Sequence, residues 1–341
     1  MGKIVTFGEI MLRLSPNGYY RFFQNDQMQA TFGGAEANVA VSLAQFGENV
    51  VYVTKVPNQA IGHSAIDSLK SFGVDTSHVF FGGDRLGIYY LEKGVAQRSS
   101  ICIYDRKGSS FSGATYEDFD WNKIFEDTDW FHFTGITPAL GENIAGICQR
   151  ACVEAKRRKI MISCDLNYRS KLWGQDEANR IMSQLCKYVD VCIANEEDAK
   201  NVFGISAPNT NIYEGQIDKV GYKSVAEQLM DLFNFKYIAF TFRSSFSATR
   251  NGWTGMIYDG NGYYYAREYS IDHIVDRVGG GDSFGAGLIY SLHNGMNKQE
   301  ALEFAVAAST LKHSIEGDYN RTSVDEVLKL VNGDSSGRVQ R

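Results

Sequence analysis

None of the six cysteines forms a C-x-x-C pair, no apolar run approaches the ~18 residues a membrane-crossing helix needs, and basic residues do not outnumber acidic ones. The first absence argues against a redox or zinc motif. Cys102, Cys164 and Cys192 lie in apolar, strand-like runs, and all six cysteines are expected as buried free thiols. The second, with the lack of a charged segment leading into a short apolar h-region, predicts a soluble protein of the reducing cytoplasm with no membrane partner. The third, a net charge of −6, argues against a nucleic-acid surface. The one basic cluster, KRRK at 156–159, closes a helical pattern, where cations suit the helix dipole. Met1, Gly2 and Thr6 satisfy an N-myristoylation template by letter, but Ile4, Val5 and Phe7 belong to an apolar strand that should be buried. There is no internal repeat and no linker.

What is present suits a large core: 341 residues, 44% of them apolar, enough for about two domains or one large α/β unit. Short apolar runs at 3–7, 50–53, 130–133, 161–164, 189–194 and 237–241 alternate with helical patterns at 38–46, 142–156, 177–185 and 224–232. That rhythm predicts a doubly wound, mostly parallel α/β sheet flanked by helices. Segments 87–91 and 99–104 break it, because both alternate and a turn-like 93–98 separates them; they read as a hairpin flap at the ligand-binding edge. Residues 10–32 are expected to add strands to this lid. A second, peripheral hairpin is expected from 254–258 and 263–267, and the SSGRVQR tail is polar.

The most informative stretch is DRVGGGDSFGAGLIYSL, 276–292. Gly279, Gly280 and Gly281 can turn their N–H groups toward one point, and Phe284, Leu288, Ile289 and Leu292 follow at helical spacing, so an anion is favoured where the helix begins. Asp282 would repel such an anion. Its presence makes sense if it touches the group that attacks a phosphate, as a base for an alcohol; the competing reading is a simple helix cap. A dinucleotide site fits poorly, since the spacing is not G-x-G-x-x-G and the glycines come late in the chain.

Three further constellations lie at expected strand ends or helix starts. GGAEANVAVSLAQFG, 33–47, pairs glycines that allow close approach with Asn38, both donor and acceptor. CDLNYRSKLW presents Asp165, Asn167 and Arg169 at a strand end. ANEED, 194–198, supplies acids that either start a helix or hold water around Mg²⁺.

Together, in this order, these motifs resemble the PfkB family of ribokinase-like carbohydrate kinases over about residues 1–330, which implies one kinase domain with lid strands from about 10–32 and 85–105 and a polar tail at 331–341. Within the family, FGEIMLRL, DRLGIYYLE, YDRKGSS and DLNYRSKLW are most similar to the 2-keto-3-deoxygluconate kinases; fructokinases carry related versions. The resemblance implies Asp282 as catalytic base and the N–H groups of Gly279, Gly280 and Gly281 as an anion hole. It implies sugar contacts from Gly34, Asn38, Tyr89, Tyr104, Arg106 and Arg169, closed by Asp318. Nucleotide contacts are implied for Asn167, Arg169, Asn195, Thr241, Arg243, Ser245, Gly279, Gly281 and Ala308, with Asp198 acting on Mg²⁺ through water. ATP and Mg²⁺ are the implied cofactors, with room for a monovalent cation near Asp276. A homodimer paired through the lid is one arrangement; a lid packed on its own subunit is the other.

The physical logic agrees with a sugar acid. A keto acid needs a cation for its carboxylate, which the fork of Arg106 offers, and Tyr89 and Tyr104 can cover a sugar face or merely pack within the flap. The expected reaction is in-line phosphorylation of the C6 hydroxyl of 2-keto-3-deoxygluconate. The rivals are a fructokinase or ribokinase on a neutral sugar and a noncatalytic sugar-binding regulator. Three departures from the family pattern stand out: Arg277 where Thr is usual, TFRSSF (241–246) in place of a glycine-containing nucleotide loop, and KVPN (55–58) without a common glycine.

Overall fold

The computed structural model describes residues 2–195, 197–207, 218 and 220–334. Met1 of the myristoylation template and residues 335–341 of the polar tail lie outside the described residues.

Strands Lys3–Phe7, Val50–Val53, Thr128–Thr134, Met161–Asp165, Val191–Ala194 and Tyr237–Ser247 run parallel. Their apolar runs are buried on both faces, as a helix-covered parallel sheet requires. Across the sheet the order is Tyr263–Tyr265, Arg250–Tyr258, Tyr237–Ser247, Val191–Ala194, Met161–Asp165, Thr128–Thr134, Lys3–Phe7, Val50–Val53. The first strand therefore sits between the second and third of the parallel set. That reversal opens a crevice at the carboxyl ends of the strands, where Glu9, Asp165, Asn195 and Thr241 emerge. Fully buried Phe, Ile and Leu side chains on both faces contribute about 1.5–3 kcal/mol each.

The expected lid is a separate four-stranded sheet in the order Met28–Gly33, Met11–Pro16, Gly87–Glu92, Ile101–Asp105. Arg13 pairs with Tyr89 and Tyr89 with Tyr104, so these three side chains share one face. Several expectations shift. The helix expected from Asn38 begins three residues earlier, as Ala35–Gln45. Helices Ala60–Lys70, Lys298–Lys312 and Val324–Val331 had no counterpart in the sequence reading. Segment 241–246 is not a loop: without a glycine it continues the strand Tyr237–Ser247, paired antiparallel with Arg250–Tyr258. Cys102 is half-buried, while the other five thiols are buried and free.

Helix Gly280–His293 packs on Lys298–Lys312. Gly287 makes this possible, since a Cβ there would lie 2.8 Å from Ala305 Cα. Among the described residues, no helix is long and apolar enough to cross a membrane.

Candidate active site

The turn Asp276–Gly279 delivers the acid. Gly279 has φ +82° and a Cβ there would meet the Asp318 carbonyl oxygen at 2.1 Å, so glycine is required twice over. The helix starts at Gly280 rather than near Ser283. This splits the three glycines. Gly280 is buried against His313, donates its N–H to Arg277 O at 3.3 Å and accepts Ser309 Oγ at 2.7 Å. Of the three glycines expected to form an anion hole, Gly279 and Gly281 border the cleft and their N–H groups make no hydrogen bond among the described residues, whereas Gly280 does not border it. Nothing lies within 4 Å of where a Gly281 Cβ would project.

Asp282 stands on the floor of a cleft of about 480 Å³ between the two sheets, with part of its surface open to it. Its Oδ2 accepts from Asn38 Nδ2 at 2.7 Å, and Asn38 Oδ1 in turn accepts from Gly34 N–H at 3.3 Å. A Cβ on Gly34 would strike the Glu9 carbonyl oxygen at 2.1 Å, which explains the glycine there. Burial lifts the Asp282 pKa to about 7; the Asn38 hydrogen bond and Arg169 pull it down, while Glu36 and Asp318 push it up. Glu36, on the same helix as Asn38, is buried and accepts from Thr134 N (3.0 Å), Thr134 Oγ1 (2.8 Å) and Thr137 Oγ1 (2.6 Å).

On the lid side, Arg106 and Tyr104 line the cleft, with the Arg106 guanidinium 5.7 Å from the Tyr104 ring centre. Arg106 is not free, because its Nε (2.7 Å) and Nη2 both donate to Glu9 Oε2. Tyr89 differs from the expected sugar contact. Its hydroxyl donates to the Asp318 carboxylate at 2.5–2.6 Å, and Asp318 also accepts from Arg13 Nη1 at 2.7 Å. Asp318 borders the cleft as expected, but its oxygens hold two lid strands.

Asn167, Arg169, Asn195, Thr241 and Arg243 line the other arm of the cleft. Arg169 is exposed, and its Nη1 donates to its neighbour's carbonyl, Tyr168 O, at 3.0 Å. Asn195 Oδ1 caps the short helix Asp198–Phe203 through the N–H groups of Glu197 (2.8 Å) and Asp198 (3.2 Å). Asp198, which also borders the cleft, accepts a backbone N–H group on each oxygen, from Tyr168 (3.0 Å) and Asn195 (2.9 Å). Ser245 pairs with Asn251 on the neighbouring strand, and Ala308 is fully buried against Gly287; neither Ser245 nor Ala308 borders the cleft.

The sequence reading missed Glu9, Arg13, Asn251, Trp253 and His313. Arg13 carried a signal, a lone arginine on the inward phase of MLRLSP. Arg277, noted as a departure, turns into the cleft beside Arg243, and burial, with repulsion from Arg243 added, lowers its pKa. Asn251 is buried in the cleft wall with neither amide atom of its side chain hydrogen-bonded among the described residues, next to Trp253, whose ring lies 5.3 Å from His313. Two arginines and these rings suit an elongated anion with an aromatic end.

For Mg²⁺ the donor set is limited. Among the described residues no group of three His, Cys, Asp or Glu side chains could hold a metal ion. Asp165 faces the cleft with its pKa raised by burial and by Asp198 and Asp282, a concentration of carboxylates that fits a divalent cation arriving with phosphates and water rather than one caged by protein.

The model for the pfkB family of carbohydrate kinases matches residues 1–231 and 243–323. A 2-dehydro-3-deoxygalactonokinase of Haloferax volcanii is 29% identical over 335 residues, 98% of each chain. A 2-dehydro-3-deoxygluconokinase of Thermoproteus tenax is 29% identical over 329 residues, 93% of this chain and 90% of its own. The crystal structure of a 2-dehydro-3-deoxygluconokinase from Thermotoga maritima superposes with a TM-score of 0.93 at 47% identity, covering 97% of this chain and 98% of that one.

Proposed function

Since the chain belongs to the pfkB family of carbohydrate kinases and is most like the 2-dehydro-3-deoxygluconokinases, we propose that it transfers the γ-phosphoryl of ATP to the C6 hydroxyl of 2-keto-3-deoxygluconate. The observation that carries this reading is the Asn38-held Asp282, with a pKa of about 7, beside the unpaired N–H groups of Gly279 and Gly281. A base of that pKa is half-ionised at neutral pH and strong enough to take an alcohol proton as the hydroxyl attacks. The new O–P bond forms as the bond to ADP breaks, and the hydroxyl proton passes to Asp282. The two glycine N–H groups lie where charge grows on the phosphoryl oxygens, and one such preorganised donor is worth about 10²–10³ in rate. Mg²⁺, bound with ATP, supplies charge neutralisation, and Asp165 is the cleft carboxylate best placed to face its water shell. Arg243 and Arg277 would take the donor's phosphates, with Asn251, Trp253 and His313 at its base.

The substrate carboxylate would meet Arg169 and the remaining N–H groups of Arg106, with Tyr104 over the sugar. Glu9, which already neutralises Arg106, favours a second reading in which the acceptor is a neutral sugar. The galactonate-derived acid is a third acceptor to test, given the Haloferax relative. We further propose residues 1–330 as one kinase domain and a homodimer paired through the small sheet, on whose outer strand Ile101 and Ile103 are exposed. The deciding assay is ADP release with ATP and Mg²⁺ on 2-keto-3-deoxygluconate, 2-keto-3-deoxygalactonate, fructose and ribose. The first is expected to give the highest kcat/KM; preference for fructose or ribose overturns the sugar-acid assignment, and no ADP with any of the four overturns the kinase role in favour of a sugar-binding one.

A further inference from the structure

Two buried cations stand behind the glycine turn, on the side away from the cleft. Arg13, 1% exposed, reaches from the lid strand Met11–Pro16 and bridges Asp276 and Asp318, whose side chains are 1% and 3% exposed. Lys312, at the end of helix Lys298–Lys312, is fully buried; its Nζ donates to Ile315 O at 3.1 Å, and its Cε lies 3.3 Å from the position of a Cβ on Gly279. Asp276 ties the turn together, since Oδ1 accepts Val278 N–H at 3.1 Å and Oδ2 accepts Gly317 N–H at 3.2 Å besides Arg13. Among the described residues no carboxylate lies within 4.0 Å of the Lys312 ammonium; burial lowers its pKa, the more distant Asp276 and Asp318 oppose that, and neighbouring Arg13 adds to it. A buried ammonium held this loosely is costly to keep, and it occupies the ground a monovalent cation near Asp276 would need. With Arg13 paired to Asp276 and Lys312 near it, a further cation beside Asp276 would meet positive charge already in place.

We propose that Arg13 and Lys312 form a built-in cation pair that holds the Asp276–Gly279 turn and the 312–318 segment in the shape that binds the transferring phosphoryl, so that turnover needs no bound monovalent cation. Both are positioning residues: neither touches the substrates, and each acts through Asp276, Asp318 and the backbone of the turn. The positive charge sits behind the N–H groups of Gly279 and Gly281, where it adds to the field felt by an anion in front of them. This inference rests on the kinase reading, and the experiment separates the two.

Turnover of the wild-type chain with ATP, Mg²⁺ and its preferred acceptor is measured with tetramethylammonium as the only monovalent cation, then with K⁺ or NH₄⁺ at equal ionic strength. The expected result is a change within about twofold. A rise of more than about tenfold with K⁺ overturns the inference and leaves the kinase reading standing, whereas no turnover in any salt defeats both. Lys312→Met is expected to lose at least about tenfold in kcat with the acceptor KM changed less than about threefold, and to recover part of the loss with NH₄⁺ or K⁺. A folded Lys312→Met with unchanged kcat overturns the inference. Should Lys312→Met not fold, Lys312→Arg, which keeps the charge, is expected to remain within about tenfold of wild type without added K⁺, and a strict K⁺ requirement in it overturns the inference.

Discussion

Replacing Asp282 by Asn removes a base and a charge while keeping the shape, and the two losses have opposite signs. Asn can turn its carbonyl oxygen toward Asn38 Nδ2, so the 2.7 Å contact survives. What disappears is the proton acceptor, a contribution of about 10²–10⁴ in kcat. The charge was a burden on the fold. A carboxyl pKa raised from 3.8 to about 7 means that the ionised form is favoured by the unfolded chain. At about 1.36 kcal/mol per pH unit the penalty would approach ~4 kcal/mol, and the cleft water that reaches Asp282 reduces it to about 1–3 kcal/mol. The sign is set by the raised pKa: no penalty below about pH 3.8, growth between there and about pH 7, and the full penalty above. Asp282→Asn should therefore melt a few degrees higher than wild type at pH 8 and closer to it at pH 5, while ADP release falls by the factor above. In wild type, kcat/KM should decline about tenfold per pH unit below about pH 7. Near-normal turnover would remove Asp282 from the base role, and a lower melting temperature at pH 8 would refute the electrostatic reasoning.

Arg106→Ala should raise KM for the sugar acid by tenfold or more while changing that for fructose much less; it should also destabilise by about 3–5 kcal/mol, because Glu9 is left as a buried unpaired charge. Adding Glu9→Gln should restore the melting temperature without the affinity, and an equal loss on both sugars would undercut the carboxylate assignment. Gly281→Ala should fold like wild type, since its Cβ meets nothing within 4 Å, yet lose kcat by crowding the phosphoryl position. Gly279→Ala should lower both stability and rate, given φ +82° and a 2.1 Å clash, and a stable, active variant would contradict the turn geometry.

The parallel sheet was legible because its strands are short, apolar and separated by helical spacing, as at Lys3–Phe7 and Met161–Asp165. Asp282 stood out in the sequence as an acid after three glycines at a helix start, against the local electrostatics, and it lies in the cleft wall. Single-sequence reasoning failed where a side chain's partner is distant in sequence. Nothing near Arg13 announces Asp276 or Asp318, and nothing near Tyr89 reveals that its hydroxyl belongs to Asp318. Equivalent letters also concealed different geometry: Gly280 resembles Gly279 and Gly281 but faces His313, and Asp198 looks like a metal-side acid but holds the amides of Tyr168 and Asn195. The strand expected at 237–241 runs on to Ser247, an extension that escaped notice because its half-buried outer end lacks the apolar signal of its inner half.

The Arg13–Asp318 bridge joins residues 305 positions apart. During synthesis, Arg13 and Tyr89 emerge 305 and 229 residues before Asp318, the acid that receives them. The lid strands can pair with one another, but their inward charge stays unmatched until the last helices fold. Such long-range closure slows folding and places completion of the phosphoryl site at its end. A partly made chain that has already exposed GGAEAN and DLNYR thus lacks Asp282, its glycine turn and the acid that anchors the lid.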